Sequence, residues 1–413
     1  MSDRRCSGVA AILLLAVLNA CGGGGAGSST QPPPPPLPTG ANVAPLIVDA
    51  GPKQLGVNLP SVTVTICSPG TSTCQTIDHI LVDTGSTGLR IMYEALKLTP
   101  ASLPAVKTAA GDPIYECFPF ADGDSWGSVR TADVQLANGK ATGLKIQLIG
   151  DPAVPASSAG CNATQNTVAG FGANGILGVS VFLTDCGSGC ASAAVPGGGI
   201  YYVCTASPCV GTTALPPDQI LNPVSKFAAN NNGVVIVLPP ITAAGQATVS
   251  GALVLGIDTQ SNNQLGSSAL LSVDPLSGNF TAIFNGQTYT KGGSIDSGSN
   301  GNFFTDTKLQ ACTSALYTGW YCPAMAATLS VTNQGAGASS ATSSVTFSVA
   351  SIEALTNANG SFAAYDNIAG TLPKLIMGFD WGLPFFFGRS VSVAFEGQAT
   401  AAGTGPFFAY ADF

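Results

Sequence analysis

Charge is scarce in this chain. Only 9% of its 413 residues are Asp, Glu, Lys or Arg, the 22 acids outnumber the 14 bases, and the formal net charge is −8. That balance lacks the basic footprint with which a nucleic-acid binder neutralises phosphates. Histidine is nearly absent, with His79 the single copy. Its scarcity removes most Ser/His/Asp and Cys/His centres and most imidazole metal sites before any motif is sought. The helix formers Glu and Lys are few, whereas 51 Gly and 28 Pro accompany plentiful Ser, Thr and Val. Such a composition argues against a helical bundle and for a turn-rich, all-β fold. Beyond the N-terminal segment no stretch is apolar and long enough to span a bilayer as a helix.

The N-terminus reads as an address. Arg4 and Arg5 precede an apolar run from Val9 to Leu18, and small residues close the segment at Ala20-Cys21, the three-part pattern of a secretory signal. Leu18-Asn19-Ala20-Cys21 resembles a bacterial lipobox. The resemblance implies a signal over 1–21, cleavage before a lipidated Cys21 and, with Gly22 following, attachment to the outer membrane of the cell envelope, facing the periplasm or the surface. An ordinary signal peptide is the alternative. Residues 22–44 follow as a Gly/Ser/Pro-rich tether, flexible in its glycines and stiff in its proline run.

Cysteine usage agrees with export. Setting aside Cys6 and Cys21 leaves an even number, which in an oxidising compartment reads as disulfides. Proximity predicts Cys67–Cys74, Cys186–Cys190, Cys204–Cys209 and Cys312–Cys322, leaving Cys117 and Cys161 to close a longer loop. Zinc is the rival reading, disfavoured by the single His and the absence of CxxC pairs, so no metal and no cofactor is expected.

The body repeats one pattern. The first half carries His79-Ile80-Leu81-Val82-Asp83-Thr84-Gly85-Ser86 and later Gly175-Ile176-Leu177-Gly178; the second carries Gly293-Ser294-Ile295-Asp296-Ser297-Gly298-Ser299 and later Leu375-Ile376-Met377-Gly378. Each half thus has a β-rich run, Asp-Thr/Ser-Gly-Ser, and then two apolar residues before a Gly. One DTG tripeptide is weak evidence, because Asx turns use the same residues; the matched pair in order is strong. This layout resembles the pepsin-like aspartic peptidases over residues 45–413, and it also resembles a family of proteobacterial lipoproteins of unassigned function. Phe120-Ala121-Asp122-Gly123-Asp124-Ser125-Trp126-Gly127 resembles the family's flap hairpin, with Phe120 where its tyrosine falls. Phe120, Asp122, Gly123 and Trp126 are accordingly expected to bind substrate, Trp126 as an N–H donor, although packing of the hairpin is the favoured reading of Trp126. Val234–Leu238, Ile376–Asp380 and Val391–Phe395 resemble the strands that join two lobes, and Ser250–Asp258 resembles the strand that opens the second lobe.

The expected fold is therefore all-β and bilobal, with pseudo-twofold lobes over 45–238 and 239–413 and a few short helices. One of these is expected over Thr305–Tyr317 and another after Asn222. Leu81 and Asp83 share one strand face and Ile80 and Val82 the other, the signature of a strand buried on both sides. A carboxylate at the end of such a strand is desolvated, and two of them about 3 Å apart share one proton. Gly85 and Gly298 permit a sharp reversal, and Ser86 and Ser299 can donate to the outer oxygens of Asp83 and Asp296. The resemblance implies that Thr84 and Ser297 bond across to the opposite loop. It also implies that Asp83 and Asp296 activate a water for peptide hydrolysis on an extended polypeptide held in the interlobe cleft by a monomer. The alternative keeps the fold without turnover, as a surface lipoprotein that binds peptide or glycan. His79 is expected to be structural, and Phe385-Phe386-Phe387 to lie in the core between the lobes.

Overall fold

The computed structural model describes residues 36–413, apart from 158–159, 192–198, 206–207, 338–340 and 373–377. The signal segment with Cys21, the tether up to residue 35, and Leu375–Met377 lie outside the described residues. Regular structure begins earlier than the tether assignment allowed. Asn42 is fully buried, its amide donates to Leu255 O, and the strand Val43–Asp49 turns Ala44, Leu46 and Val48 inward.

In the first lobe six strands close on themselves. Leu59–Cys67 pairs with Cys74–Asp83, which continues through Gly175–Val179, Thr87–Met92, Gly139–Ile149 and Gly123–Leu136 back to Leu59–Cys67. Closure leaves no unpaired edge around the ring. The period-2 pattern fills its interior, with Val62, Val64, Ile66, Ile80, Val82, Leu89 and Ile91 all buried.

The second lobe is a seven-stranded sheet in the order Thr342–Val349, Ala327–Gln334, Phe280–Phe284, Gln287–Ile295, Phe379–Trp381, Asn302–Phe304, Ala369–Gly370. Aromatics pack it. Phe304 stacks on Phe379 at 4.9 Å, and Phe347 meets Trp381 edge-on at 5.2 Å. Each such pair adds about 0.5–1.5 kcal/mol beyond the area it buries.

Between the lobes runs a shared antiparallel sheet in the order Val43–Asp49, Val249–Leu255, Gly233–Leu238, Arg389–Ala394, Phe407–Asp412, Ala269–Ser272. Gly233–Leu238 is buried at every position, Val234 and Ile236 facing the main core and Val235 and Val237 a smaller one behind it. The boundary expected at 238/239 falls between two neighbouring strands of this sheet.

Three expectations are corrected. Thr305–Tyr317 is not a helix: only Ala315–Tyr317 forms a 3-10 turn, and Leu316, which a packed helix would bury, is 86% exposed. Turn hydrogen bonds at Asp306 and the Cys312–Cys322 disulfide hold this segment as a folded loop instead. The two α-helices among the described residues are Val168–Phe171 and Ile352–Ala358, and the segment after Asn222 is a 3-10 turn, Pro223–Lys226, capped by Asn222. Finally, the second half's counterpart of Gly178 is not Gly378. The strand beside Gln287–Ile295 is Phe379–Trp381, followed by Gly382, so Phe379-Asp380 belongs to the second lobe's own sheet rather than to an interlobe strand.

Candidate active site

Equivalent registers deliver the two acids to one place. In the first lobe Cys74–Asp83 runs parallel to Gly175–Val179 with Asp83 opposite Gly178. In the second, Gln287–Ile295 runs parallel to Phe379–Trp381, and Asp296 N donates to Trp381 O at 2.8 Å. Both strands end at the interface of the lobes, and each continues into an Asp-Thr/Ser-Gly-Ser loop.

The loops are joined by a symmetrical set of buried hydrogen bonds. Thr84 Oγ1 donates to Ile295 O at 2.8 Å and accepts from Ser297 N at 2.9 Å. Ser297 Oγ donates to Val82 O at 2.7 Å and accepts from Thr84 N at 3.1 Å. Ser297 thus makes both bonds despite lacking threonine's methyl. Both side chains are essentially sealed from solvent.

Each carboxylate is held in the same way. Gly85 N donates to Asp83 Oδ1 at 2.7 Å, and the Ser86 hydroxyl donates to Asp83 Oδ2. Gly298 N donates to Asp296 Oδ1 at 2.8 Å, and Ser299 Oγ to Asp296 Oδ2 at 3.1 Å. The two carboxyl groups face one another across the interface, within hydrogen-bonding reach. Neither Gly85 nor Gly298 adopts a positive φ, so the reversal expected of them is not their role. They are needed for room: a Cβ on Gly85 would lie 2.6 Å from Asp296 Cγ, and one on Gly298 2.6 Å from Asp83 Oδ1. Burial first, then the charges of Asp83 and Asp380, push the Asp296 carboxyl well above the usual range. Such a pair retains a proton where isolated aspartates have lost theirs, and so offers one acid and one base side by side.

The pair lines a cleft of about 570 Å³, together with Phe120, Asp122, Phe171, Phe303 and Trp320. A smaller depression of about 330 Å³, beside Thr142, Lys145 and Pro217, holds no paired acids. The expected hairpin forms: Ile114–Phe120 pairs with Gly123–Leu136 across a two-residue turn at Ala121-Asp122, which lines the cleft. Phe120 turns its ring onto Phe118 and Phe171, at 4.9 and 5.3 Å. Trp126 does not reach the cleft. It is 3% exposed, stacks on Tyr115, and donates Nε1 to Pro155 O at 2.9 Å, because its place in the hairpin faces the far side of the sheet. Gly123 does not line the cleft either; a Cβ there would strike Thr164 Oγ1.

The five disulfides join Cys67–Cys74, Cys117–Cys161, Cys186–Cys190, Cys204–Cys209 and Cys312–Cys322. Cys117–Cys161 staples the flap's first strand to the loop beyond it, and Asn162 exchanges hydrogen bonds with Asp124 on the second. The sulfurs of Cys117 and Cys161 lie near the Asp124 carboxylate, but disulfide sulfurs are not thiolate ligands for a metal. His79 contacts Asp49 and Asp78, in keeping with a structural role.

Two features escaped the sequence. Arg90, fully buried, binds Glu116 through Nε at 3.1 Å and Nη2 at 2.8 Å, reaches Asp185 at 3.1 Å, and lies over the Phe118 ring at 3.7 Å. This cluster anchors the base of the flap. The second is Asp380, which lines the cleft with the pair. Searching the second half for an apolar-apolar-Gly passed over it; matching strand to strand and accepting Asp380-Trp381-Gly382 would have found it.

Among solved structures the chain resembles the crystal structure of an aspartic proteinase from Irpex lacteus, at 15% identity and a TM-score of 0.51, covering 90% of this chain and 96% of that one. At that identity the likeness shows the fold, which is bilobal, mostly β and pepsin-like. No curated protein sequence matches. Residues 38–410 match one family over nearly the whole described body, and the chain belongs to that family, whose description is "Protein of unknown function (DUF3443)".

Proposed function

We propose that this protein is an aspartic endopeptidase. One observation carries the reading: Asp83 and Asp296 face one another within hydrogen-bonding reach in an open cleft, on loops tied together by Thr84 and Ser297. The ionised member of the pair takes a proton from a water placed between the carboxyls, and the water attacks the peptide carbonyl. The protonated member donates to the carbonyl oxygen, and the gem-diol collapses with proton transfer to the leaving nitrogen. An extended substrate lies under the flap, adding its main-chain hydrogen bonds to those of the cleft walls.

The test is hydrolysis of casein or a quenched fluorescent peptide between pH 3 and 7. Asp83→Asn and Asp296→Asn are each expected to lower kcat by about 100-fold or more, and a statine-type inhibitor to block turnover. Full activity in either variant would overturn the assignment. One observation favours a second reading, a peptide- or glycan-binding cleft without turnover: the flap presents Phe120, packed on its neighbours, with no hydroxyl to orient solvent. Binding of peptides with no cleavage at any pH would select it.

We also propose that the body is carried on a lipidated Cys21 in the cell envelope. Five disulfides support an oxidising compartment. Palmitate labelling lost in Cys21→Ala is the expected result; labelling that persists would refute it.

A further inference from the structure

The internal duplication is broken next to the acid pair. In the first lobe Leu81 sits opposite Ile176, and both apolar side chains line the cleft. The same register in the second lobe sets Ser294 opposite Asp380. An apolar pair has become a hydroxyl–carboxyl pair, with Ser294 Oγ donating to Asp380 Oδ1 at 2.6 Å. Asp380 is 8% exposed, and what exposure it has is to the cleft shared with Asp83 and Asp296.

Ser299 links this third acid to the pair. Its hydroxyl donates to Asp296 Oδ2 at 3.1 Å and is also within hydrogen-bonding reach of the Asp380 carboxyl. A hydroxyl has one proton to give, so Ser299 serves one carboxylate at a time. When Asp380 is protonated, its own O–H donates to Ser299 Oγ, and Ser299 is free to donate to Asp296. The result is an unbroken chain from Ser294 through Asp380 and Ser299 to Asp296.

Nothing cationic offsets these acids: among the described residues no Lys, Arg or His lines the cleft. The titratable groups facing Asp380 are Asp296 beside it and Asp83 across the interface, with Asp122 on the flap above; the flanking strands bring Ser294 and Phe303, which are uncharged at these pH values. Burial, opposed by the Ser294 and Ser299 hydrogen bonds and aided by the charge of Asp83, raises Asp380 to about 6.

We propose that Asp380 is a positioning residue for the Asp83–Asp296 pair, acting through Ser299 on Asp296 and, once ionised, keeping the pair's shared proton in place toward neutral pH. The catalytic consequence rests on the peptidase reading; the effect on the pair's proton does not. Once Asp380 has ionised, loss of the pair's proton would put three negative charges in one dry site. The pair therefore holds that proton to higher pH than two acids alone would.

Asp380→Asn tests this, because Asn mimics the protonated acid and keeps both hydrogen bonds while removing the charge. The alkaline limb of kcat/KM against pH is expected to move down by about one unit, so that the ratio of activity at pH 7 to pH 5 falls about tenfold. In parallel, carboxyl NMR on protein labelled at aspartate identifies the pair's upper titration as the step lost in Asp83→Asn. That step is expected to fall by the same amount in Asp380→Asn. Should Asp380→Asn not fold, Ser294→Leu/Asp380→Ile, which rebuilds the first lobe's apolar pair, carries the same expectation. A wild type without turnover whose NMR step still moves would end the peptidase reading and leave the positioning role standing. An unmoved NMR step overturns the positioning role, whether or not peptides are cleaved.

Discussion

Replacing Thr84 by Val tests the joint between the lobes. Valine keeps the shape and loses the hydroxyl, so Ile295 O loses a donor at 2.8 Å and Ser297 N loses an acceptor at 2.9 Å. Both groups stay buried, since Ser297 is 0% exposed. Each orphaned backbone group costs about 1–3 kcal/mol, against roughly 0.8 kcal/mol recovered from the added methyl. The expected net loss is about 1–5 kcal/mol, centred on roughly 3, a large fraction of the stability of any fold. Thr84→Ser supplies the control: it keeps both bonds and sacrifices only a methyl, as Ser297 already does on the other side, and should cost about 1 kcal/mol. Urea unfolding followed by tryptophan fluorescence measures both. If the Val and Ser variants agree within about 0.5 kcal/mol, the crossing hydroxyls do not hold the loops together and the geometric argument fails.

Gly298→Ala places a methyl 2.6 Å from Asp83 Oδ1 and should spread the carboxyls, abolishing peptide cleavage while the fold is retained by circular dichroism; an active variant would contradict it. Arg90→Met strands Glu116 and the raised, buried Asp185, and should cost about 3–5 kcal/mol in urea unfolding at pH 7. Adding Glu116→Leu and Asp185→Leu should recover most of that loss, and no recovery would refute the electrostatic cause. Asp296 holds its proton more tightly folded than unfolded, so its contribution to stability is full below the unfolded-state pKa and is lost as pH rises through the folded value. Asp296→Asn should therefore exceed wild type in stability at pH 7.5 by at least about 1 kcal/mol and match it at pH 3. An equal difference at both values would show that titration is not the cause.

What the sequence made legible is what is local. A strand apolar on both faces that ends in Asp-x-Gly carries its own signature, and both copies lie where the loops form. The disulfides were readable because in four of the five pairs the two cysteines lie within ten residues of each other. What was missed depends on register and distance. Arg90 meets partners 26 and 95 residues away, with no local sign of either. The second half's apolar pair before Gly378 was a plausible match by composition, yet pairing put Phe379–Trp381 in the sheet and shifted the equivalence to Gly382. Four residues of slip hid the acid that most alters the site, since a strand's position in a sheet is set by its neighbours rather than by its own residues. The helix expected over Thr305–Tyr317 failed similarly, its periodicity overridden by a disulfide and turn hydrogen bonds.

Two Asx turns account for only part of the site. They explain why Gly85 N and Gly298 N donate to Asp83 and Asp296. They do not explain why each turn is pressed against the other's carboxylate so closely that neither glycine could carry a side chain. A turn gains nothing from that approach, because two desolvated acids in contact oppose folding at every pH at which both would ionise. The four crossing hydrogen bonds from Thr84 and Ser297 offset this repulsion at the point where it arises. Asp380 then adds a third acid where the first lobe has Ile176, raising the cost further as pH increases. A fold concerned only with stability has an easy alternative in its own other half, the Leu81–Ile176 pair. The second lobe departs from that alternative beside the acid pair, with a carboxyl turned to the same cleft, which is the physical ground for reading this cleft as a site where protons are exchanged.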